Sequence, residues 1–111
     1  MTPEIIPNSL TRDETRLIWE RINFDWKLDF DMLVILKKAL ELLERSMEAQ
    51  EILAREGLTF TTENGQIKKH PANEIQKVAD AQFLMAWRML NLGIEPPSGL
   101  TGRKPTGGGQ V

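Results

Sequence analysis

The chain has no cysteine, no tyrosine and a single histidine among its 111 residues. The absence of cysteine excludes disulfide bonds, thiolate nucleophiles and cysteine-based metal sites. One histidine without any cysteine also leaves a structural zinc site without its usual ligands. We find no combination of histidine, serine and carboxylates that is typical of an active site. The sequence therefore predicts a protein that is not an enzyme and that needs no cofactor or metal.

Long hydrophobic segments are equally scarce. The longest purely apolar run covers residues 32–36 and is far too short to span a bilayer. Residues 1–8 have neither the basic nor the apolar region of a signal peptide. We therefore expect a soluble, cytoplasmic protein without a membrane partner.

Charge of one sign is not in excess, because 14 basic residues face 16 acidic residues and the formal net charge is −2. This balance gives no support to a protein that coats nucleic acid through bulk charge. Residues 1–57 hold 8 basic and 12 acidic side chains, whereas residues 58–111 hold 6 basic and 4 acidic ones. Any contact with DNA should therefore come from local clusters of basic residues.

Several small clusters of basic residues are candidates for such a contact. The preferred DNA-binding candidates are Lys68, Lys69, Arg103 and Lys104, followed by Arg12, Arg16 and Arg21, with Lys37 and Lys38 as a further basic pair. The first two lysines precede a predicted helix, whose N-terminal N–H groups would also favour a phosphate. Each cluster is equally typical of an ordinary solvated surface, and this alternative stays open.

The first part of the chain predicts an arm followed by a helix. Residues 1–9 have no hydrophobic periodicity and are interpreted as an N-terminal arm. A first helix is predicted over residues 11–24, because apolar residues recur there at helical spacing and Thr11 and Glu14 match a capping box. We expect residues 10–93 to form a single helical domain.

A second helix, predicted over residues 30–56, gives the strongest signal in the sequence. Asp29 or Asp31 is expected to cap its start, and Gly57 is expected to end it in the left-handed conformation. The two aspartates could resemble half of a metal site, but capping aspartates at the start of a helix are far commoner.

Two neighbouring apolar stripes run along this second helix at spacings of three and four, except for a gap of seven between Leu42 and Ala49. One consists of Leu33, Leu36, Leu40, Leu43 and Met47, and the other of Met32, Ile35, Ala39, Leu42, Ala49 and Leu53. Together they cover more of the circumference than packing against one other helix requires. Either the helix lies at the centre of a bundle, or one stripe packs on another copy of the chain. The candidate oligomer interface is Met32, Leu33, Ile35, Leu36, Leu40, Leu42, Leu43 and Met47.

The remainder predicts a β-hairpin, a third helix and a tail. Threonines and an Asn64-Gly65 turn favour a hairpin over residues 58–70. A third helix is predicted over residues 71–92 and should end at Gly93, after which residues 94–111 form a flexible tail. The expected fold is mostly α, with the last two helices forming an antiparallel αα-hairpin whose tip is the β-hairpin.

His70 is the residue for which a catalytic and a structural role must be weighed. It is the one side chain that titrates near neutrality without perturbation, but no nucleophile or second acid–base group lies near it in the sequence. Pro71 suits the first position of a helix. We therefore interpret His70 as part of a turn and helix cap.

Two motifs resemble the phage terminase small-subunit family, in its compact helix–hairpin–helix branch. The first is the Lys-x-His-Pro-Ala turn at residues 68–72, and the second is the Leu-Gly-Ile-Glu-Pro ending at residues 92–96. Upstream, Trp19, Ile22 and an Asp31-x-x-x-Ile35 opening are similar as well, so the resemblance covers residues 10–97. Family members often continue with an Arg-containing segment, whereas this chain inserts a Gly- and Pro-containing stretch before Arg103.

The resemblance implies a non-enzymatic component of a phage DNA-packaging motor. Small subunits of this kind assemble into homo-oligomeric rings, recognise viral double-stranded DNA, and regulate the ATPase and nuclease of the large terminase subunit. The residues alone indicate a helical oligomerising module. The alternative is a helical adaptor or a small DNA-binding regulator that acts as a dimer.

Overall fold

The computed structural model describes residues 5–97. It contains three helices and one β-hairpin, in the chain order α1 (Asp13–Asp25), α2 (Phe30–Glu56), β1 (Thr59–Thr61), β2 (Ile67–Lys69) and α3 (Pro71–Leu90). The expectation of a mostly helical fold with a long central helix and a small hairpin is confirmed. The bounds of α2 are also as predicted, whereas α1 and α3 differ by one or two residues at their ends.

The core lies where α1 and α3 cover one long face of α2. Its fully buried large side chains include Leu10, Leu36, Leu40, Leu43, Phe83 and Leu90. A smaller cluster of Ala49, Leu53 and Ala72 closes the contact between α2 and α3 near the hairpin. Because the end of α2 meets the start of α3, the two helices run antiparallel and form the expected αα-hairpin.

The start of α1 differs from the capping box predicted for Thr11 and Glu14. The N-cap residue is Arg12, and its side chain accepts no capping hydrogen bond. The carboxylate of Glu44 on α2 instead accepts the backbone N–H groups of Thr11 and Arg12, both at 2.8 Å, and the hydroxyl of the buried Thr15. The capping-box prediction was wrong because a distant residue satisfies these donors.

The other helix ends follow local rules. Asp29 is the N-cap of α2 and accepts the Met32 N–H at 2.9 Å. Gly57 has a positive φ of 90°, but its ψ of 165° lies outside the left-handed helical region that we expected. Asn91 adopts that conformation at the end of α3, with φ 52° and ψ 46°, so the helix ends before Gly93. Asparagine tolerates this conformation better than most residues.

Both apolar stripes of α2 contain buried and half-buried residues. Leu36, Leu40, Leu43 and Met47 belong to the core of the single chain, and Leu36, Leu40 and Leu43 expose no surface. Four other candidate interface residues, Met32, Leu33, Ile35 and Leu42, are half-buried and pack against the same core. Within one chain, α2 is therefore the centre of a small bundle. The role of these residues in an oligomer stays a prediction.

The ends of the domain are attached more firmly than the predicted arm and tail imply. Leu10 is fully buried, Ile6 packs against the core, and the Ser9 hydroxyl donates to Glu41 at 2.6 Å. After α3, Leu92 is buried and Trp87 Nε1 donates to the Ile94 carbonyl at 3.1 Å. Most of the predicted tail, residues 98–111, lies outside the described residues. No helix in the described part is long and apolar enough to cross a membrane.

Candidate functional site

The Lys-x-His-Pro-Ala turn lies where the β-hairpin joins α3. The two strands pair antiparallel, with Thr59 opposite Lys69 and Phe60 opposite Lys68. One further hydrogen bond, from the His70 N–H to the Leu58 carbonyl at 2.8 Å, extends this ladder to the helix. The turn therefore begins as the last pair of the hairpin and ends as the first turn of α3.

His70 is held by contacts at both ring nitrogens. Its Nδ1 accepts the Ala72 N–H at 3.0 Å, so the ring caps α3. Its Nε2 lies 2.7 Å from a carboxylate oxygen of Glu56, at the end of α2. Because Nδ1 acts as an acceptor, the proton is on Nε2, which donates to Glu56. This hydrogen bond lowers the pKa of Glu56 below its ordinary value.

The interpretation of His70 as a turn-and-cap residue is confirmed by these contacts, but the role of Glu56 was not predicted from the sequence. The two residues are 14 positions apart and meet because the hairpin returns the chain to the end of α2. Phe60 also contacts the His70 ring edge-on, with centroids 6.4 Å apart. The contacts of His70 therefore link the end of α2, the hairpin and the start of α3, and we call this junction the His70 clasp.

Lys68 and Lys69, the first DNA-binding candidates, are exposed on β2 and point to opposite faces of the hairpin. Successive strand residues alternate between faces. Lys68 thus shares a face with Phe60, its cross-strand partner, and Lys69 shares the other with Thr59. The two lysines therefore do not form one compact charged patch.

The start of α3 is not the phosphate site that we expected beside these lysines. Pro71 has no N–H, the Ala72 N–H is bound by the His70 ring, and the Asn73 N–H donates to the His70 carbonyl at 3.0 Å. The N–H groups that would bind an anion at a helix start are therefore already in use. This part of the DNA-binding hypothesis is wrong.

The arginines of α1 and its cap are engaged within the chain. Arg12 forms a bidentate ion pair with Glu51, at 2.7 and 2.8 Å. The paired hydrogen bonds raise the pKa of Arg12 and lower that of Glu51. Arg16 donates to the Leu10 carbonyl at 3.1 Å, and Arg21 lies 3.3 Å from Asp25. Arg103 and Lys104 lie outside the described residues.

The described residues contain no cluster of three or more His, Asp or Glu side chains that could hold a metal ion. Shallow grooves follow the seam between α2 and α3, and another lies between α2 and the start of α1. Their linings mix apolar residues with polar and charged ones, and the residues shared by more than one groove are Glu41, Arg45, Glu48, Ile75 and Gln82. Grooves with such mixed linings are suited to contact with the surface of another protein.

Large apolar side chains are exposed on both α3 and α1. On α3, Ile75, Val78, Met85 and Met89 are 48%, 44%, 64% and 65% exposed. On α1, Leu17 and Phe24 are also exposed, seven residues apart on one face of the helix. The apolar residues of α3 recur at helical spacing in the sequence, but this periodicity alone could not tell which of them face solvent.

Comparisons with family models, with curated proteins and with solved structures found no significant match.

Proposed function

We propose that this protein is a non-enzymatic terminase small subunit that assembles into a ring, binds viral double-stranded DNA and regulates the large terminase subunit. The observation that carries the proposal is the placement of the two family-like motifs at the two ends of α3. The Lys-x-His-Pro-Ala turn caps the start of this helix through His70. The Leu-Gly-Ile-Glu-Pro ending is fixed after the helix by the bond from Trp87 to Ile94. Each motif thus has a structural reason for its residues and spacing.

The exposed apolar faces support self-assembly. A ring of identical subunits needs two different complementary faces on each subunit, because the contacts run head to tail. Two regions outside α3 expose large apolar side chains, with Leu17 and Phe24 on α1 and Leu58 and Ile67 in the β-hairpin region. Large exposed apolar patches on small proteins are typical of interaction surfaces.

A ring also explains how a chain of net charge −2 can bind DNA. Two lysines of one subunit, Lys68 and Lys69, give little affinity at physiological salt. When one subunit of a ring is engaged, the others act on the same DNA at a high effective concentration. Weak contacts repeated around the ring can then hold the duplex.

The assembly is tested by native mass spectrometry of the full chain. We expect a mass of many times 12.7 kDa at micromolar concentration. A monomer under these conditions would contradict the proposal. Regulation is tested by adding the protein to a purified large terminase subunit from the same phage, where we expect a change in the ATPase rate.

The DNA contact is tested by replacing Lys68, Lys69, Arg103 and Lys104 with alanine. We expect an unchanged assembly mass, weaker DNA binding, and a salt dependence of log affinity that is flatter by roughly 0.9 for each phosphate that is no longer neutralised. The control is Lys27→Ala with Lys77→Ala, which removes two exposed charges outside the candidate clusters and should leave the slope unchanged. An unaltered slope in the first variant would place the DNA surface elsewhere.

A dimeric DNA-binding regulator is the second candidate because the link between α1 and α2 is short. It covers only residues 26–29, and turns of three to four residues are typical of helix–turn–helix motifs. However, Asp29 and Asp31 lie at the start of α2, where a recognition helix approaches DNA most closely. These carboxylates would repel phosphates. A dimer mass together with binding to a short operator would favour this candidate.

A further inference from the structure

The exposed face of α3 has the pattern of a coiled-coil seam. Ile75, Val78, Gln82, Met85 and Met89 follow one another at spacings of three, four, three and four residues, and we call this set the α3 stripe. All five side chains are exposed, while the neighbouring face of the same helix is buried against α2. A stripe at this spacing is what one helix presents to another in a coiled coil.

Two charged residues lie along the outer edge of the α3 stripe. Glu74 precedes Ile75, and Arg88 precedes Met89, so they are 14 residues apart and lie on the same side of the helix. Both are exposed, and neither forms an ion pair with any residue between 5 and 97. Between them on this edge lies Ala81, midway along the stripe.

These features match a second copy of the same helix in the antiparallel direction. When two copies of α3 are related by a two-fold axis beside Ala81, Glu74 of each copy lies opposite Arg88 of the other. Ile75 then packs against Met85 of the second copy, and the small Ala81 side chains face each other and allow close approach. In a parallel pair each charge would instead lie level with its own counterpart, and the charge complementarity would be absent.

We propose that α3 pairs with α3 of a second copy through the α3 stripe, forming an antiparallel, two-fold symmetric contact. The occupant is a second copy because the helix carries both halves of the complementary charge pattern. The given sequence outside the described residues offers little competition, since residues 1–4 and 98–111 contain only Met1, Leu100 and Val111 as large apolar side chains. This contact is distinct from the head-to-tail contact of the proposed ring, and it can exist with or without DNA.

The first test uses the lack of native cysteine. In Ala81→Cys, the introduced thiols of the two copies lie close together at the axis, so a short bismaleimide linker should join most chains into covalent dimers. In the control Lys77→Cys, the two thiols are separated by about 12 Å along the helices. This variant should stay largely monomeric after the same treatment. Equal cross-linking of both variants, or of neither, would overturn the antiparallel register.

The second test exchanges the charges. Glu74→Arg alone and Arg88→Glu alone each create two like-charge pairs across the axis, so each should raise the dissociation constant at least about tenfold in sedimentation equilibrium. Mixing these two single variants should restore association, because position 74 of each copy then faces the opposite charge at position 88 of the other. The double variant should also recover. Absence of recovery would overturn the proposal.

A third variant separates this contact from the ring. Met85→Glu places a charge within the α3 stripe and should lower the assembly mass, whereas Leu17→Glu, matched in exposure on α1, should leave the cross-link of Ala81→Cys intact. If the protein forms a ring whose mass Met85→Glu does not change, the α3 contact is wrong and the ring stands. If the wild-type protein stops at a dimer that Met85→Glu dissociates, the α3 contact stands and the ring is wrong.

Discussion

Two carboxylates of α2 hold the start of α1 in place. Glu44 accepts hydrogen bonds from two backbone N–H groups and two hydroxyls, one of them buried, and Glu51 pairs with the guanidinium of Arg12. The α1–α2 contact therefore depends on a polar network at its N-terminal end as well as on Trp19 and Ile22 in the core.

We expect Glu44→Ala to be among the most destabilising surface substitutions in the chain. It removes the shared acceptor of two N–H groups and two hydroxyls, and the buried hydroxyl of Thr15 then keeps only the Arg12 carbonyl as an acceptor. The free energy of unfolding should fall by about 2–3 kcal/mol, measured by urea denaturation. Glu48→Ala, one turn further along α2 and exposed, is the control and should change it by less than about 0.5 kcal/mol. Equal effects would contradict the capping role.

The Arg12–Glu51 pair predicts a dependence of stability on pH. The pKa of Glu51 is lowered in the folded protein, so its contribution to stability is fully present above the ordinary glutamate pKa of about 4.3. This contribution is lost as the pH falls through the lowered pKa. Glu51→Gln should therefore be less stable than the wild type at neutral pH, and the difference should shrink below pH ~4. A difference that is constant with pH would contradict the assignment. Because Glu51 is exposed, added salt should also reduce it.

At the scale of the elements, the His70 clasp holds the hairpin against α2 and α3 through the contacts of His70 with Glu56 and Ala72. A hairpin with two three-residue strands is too short to be stable alone. Its strands are exposed on all sides, so the contacts of His70 with Glu56 and with the start of α3 supply the anchoring that the strands lack.

We expect His70→Asn to keep the fold and the assembly mass. Asparagine is a good N-cap and can accept the Ala72 N–H, but it cannot reach Glu56, so the loss should be at most ~1 kcal/mol. His70→Ala removes the cap as well and should cost more. Thermal unfolding of the two variants measures this order. If His70→Asn abolished a hydrolytic activity of the pure protein without unfolding it, the structural role would be refuted.

The ends of α2 and α3 show which elements the sequence could predict. Asp29 and Pro71 act on their own helix within a few residues, so both starts were predictable from local rules. The start of α1 was not, because its donors are satisfied by Glu44, more than 30 residues away. The end of α3 shifted because Asn91, and not Gly93, takes the left-handed conformation.

At the scale of the whole molecule, the candidate surfaces were only partly predictable. The periodicity of α2 showed two apolar stripes but not that Leu36 and Leu40 are fully covered by the same chain. On α3 the apolar positions surround much of the helix, so only packing against α2 decides that Met85 and Met89 stay exposed. Likewise, the sequence does not show that Arg12, a DNA-binding candidate, forms an ion pair with Glu51.

The length of α3 determines how long a DNA duplex must be to reach both ends of this helix. Lys68 and Lys69 lie just before α3, and the chain toward Arg103 and Lys104 leaves from the opposite end of this helix, where Trp87 holds Ile94. The 20 residues of α3 measure about 30 Å, which is the length of roughly nine base pairs. If the proposed DNA contact is made, a duplex that spans the two ends of α3 is therefore nearly a full turn long, whereas a much shorter fragment reaches only one end of this helix.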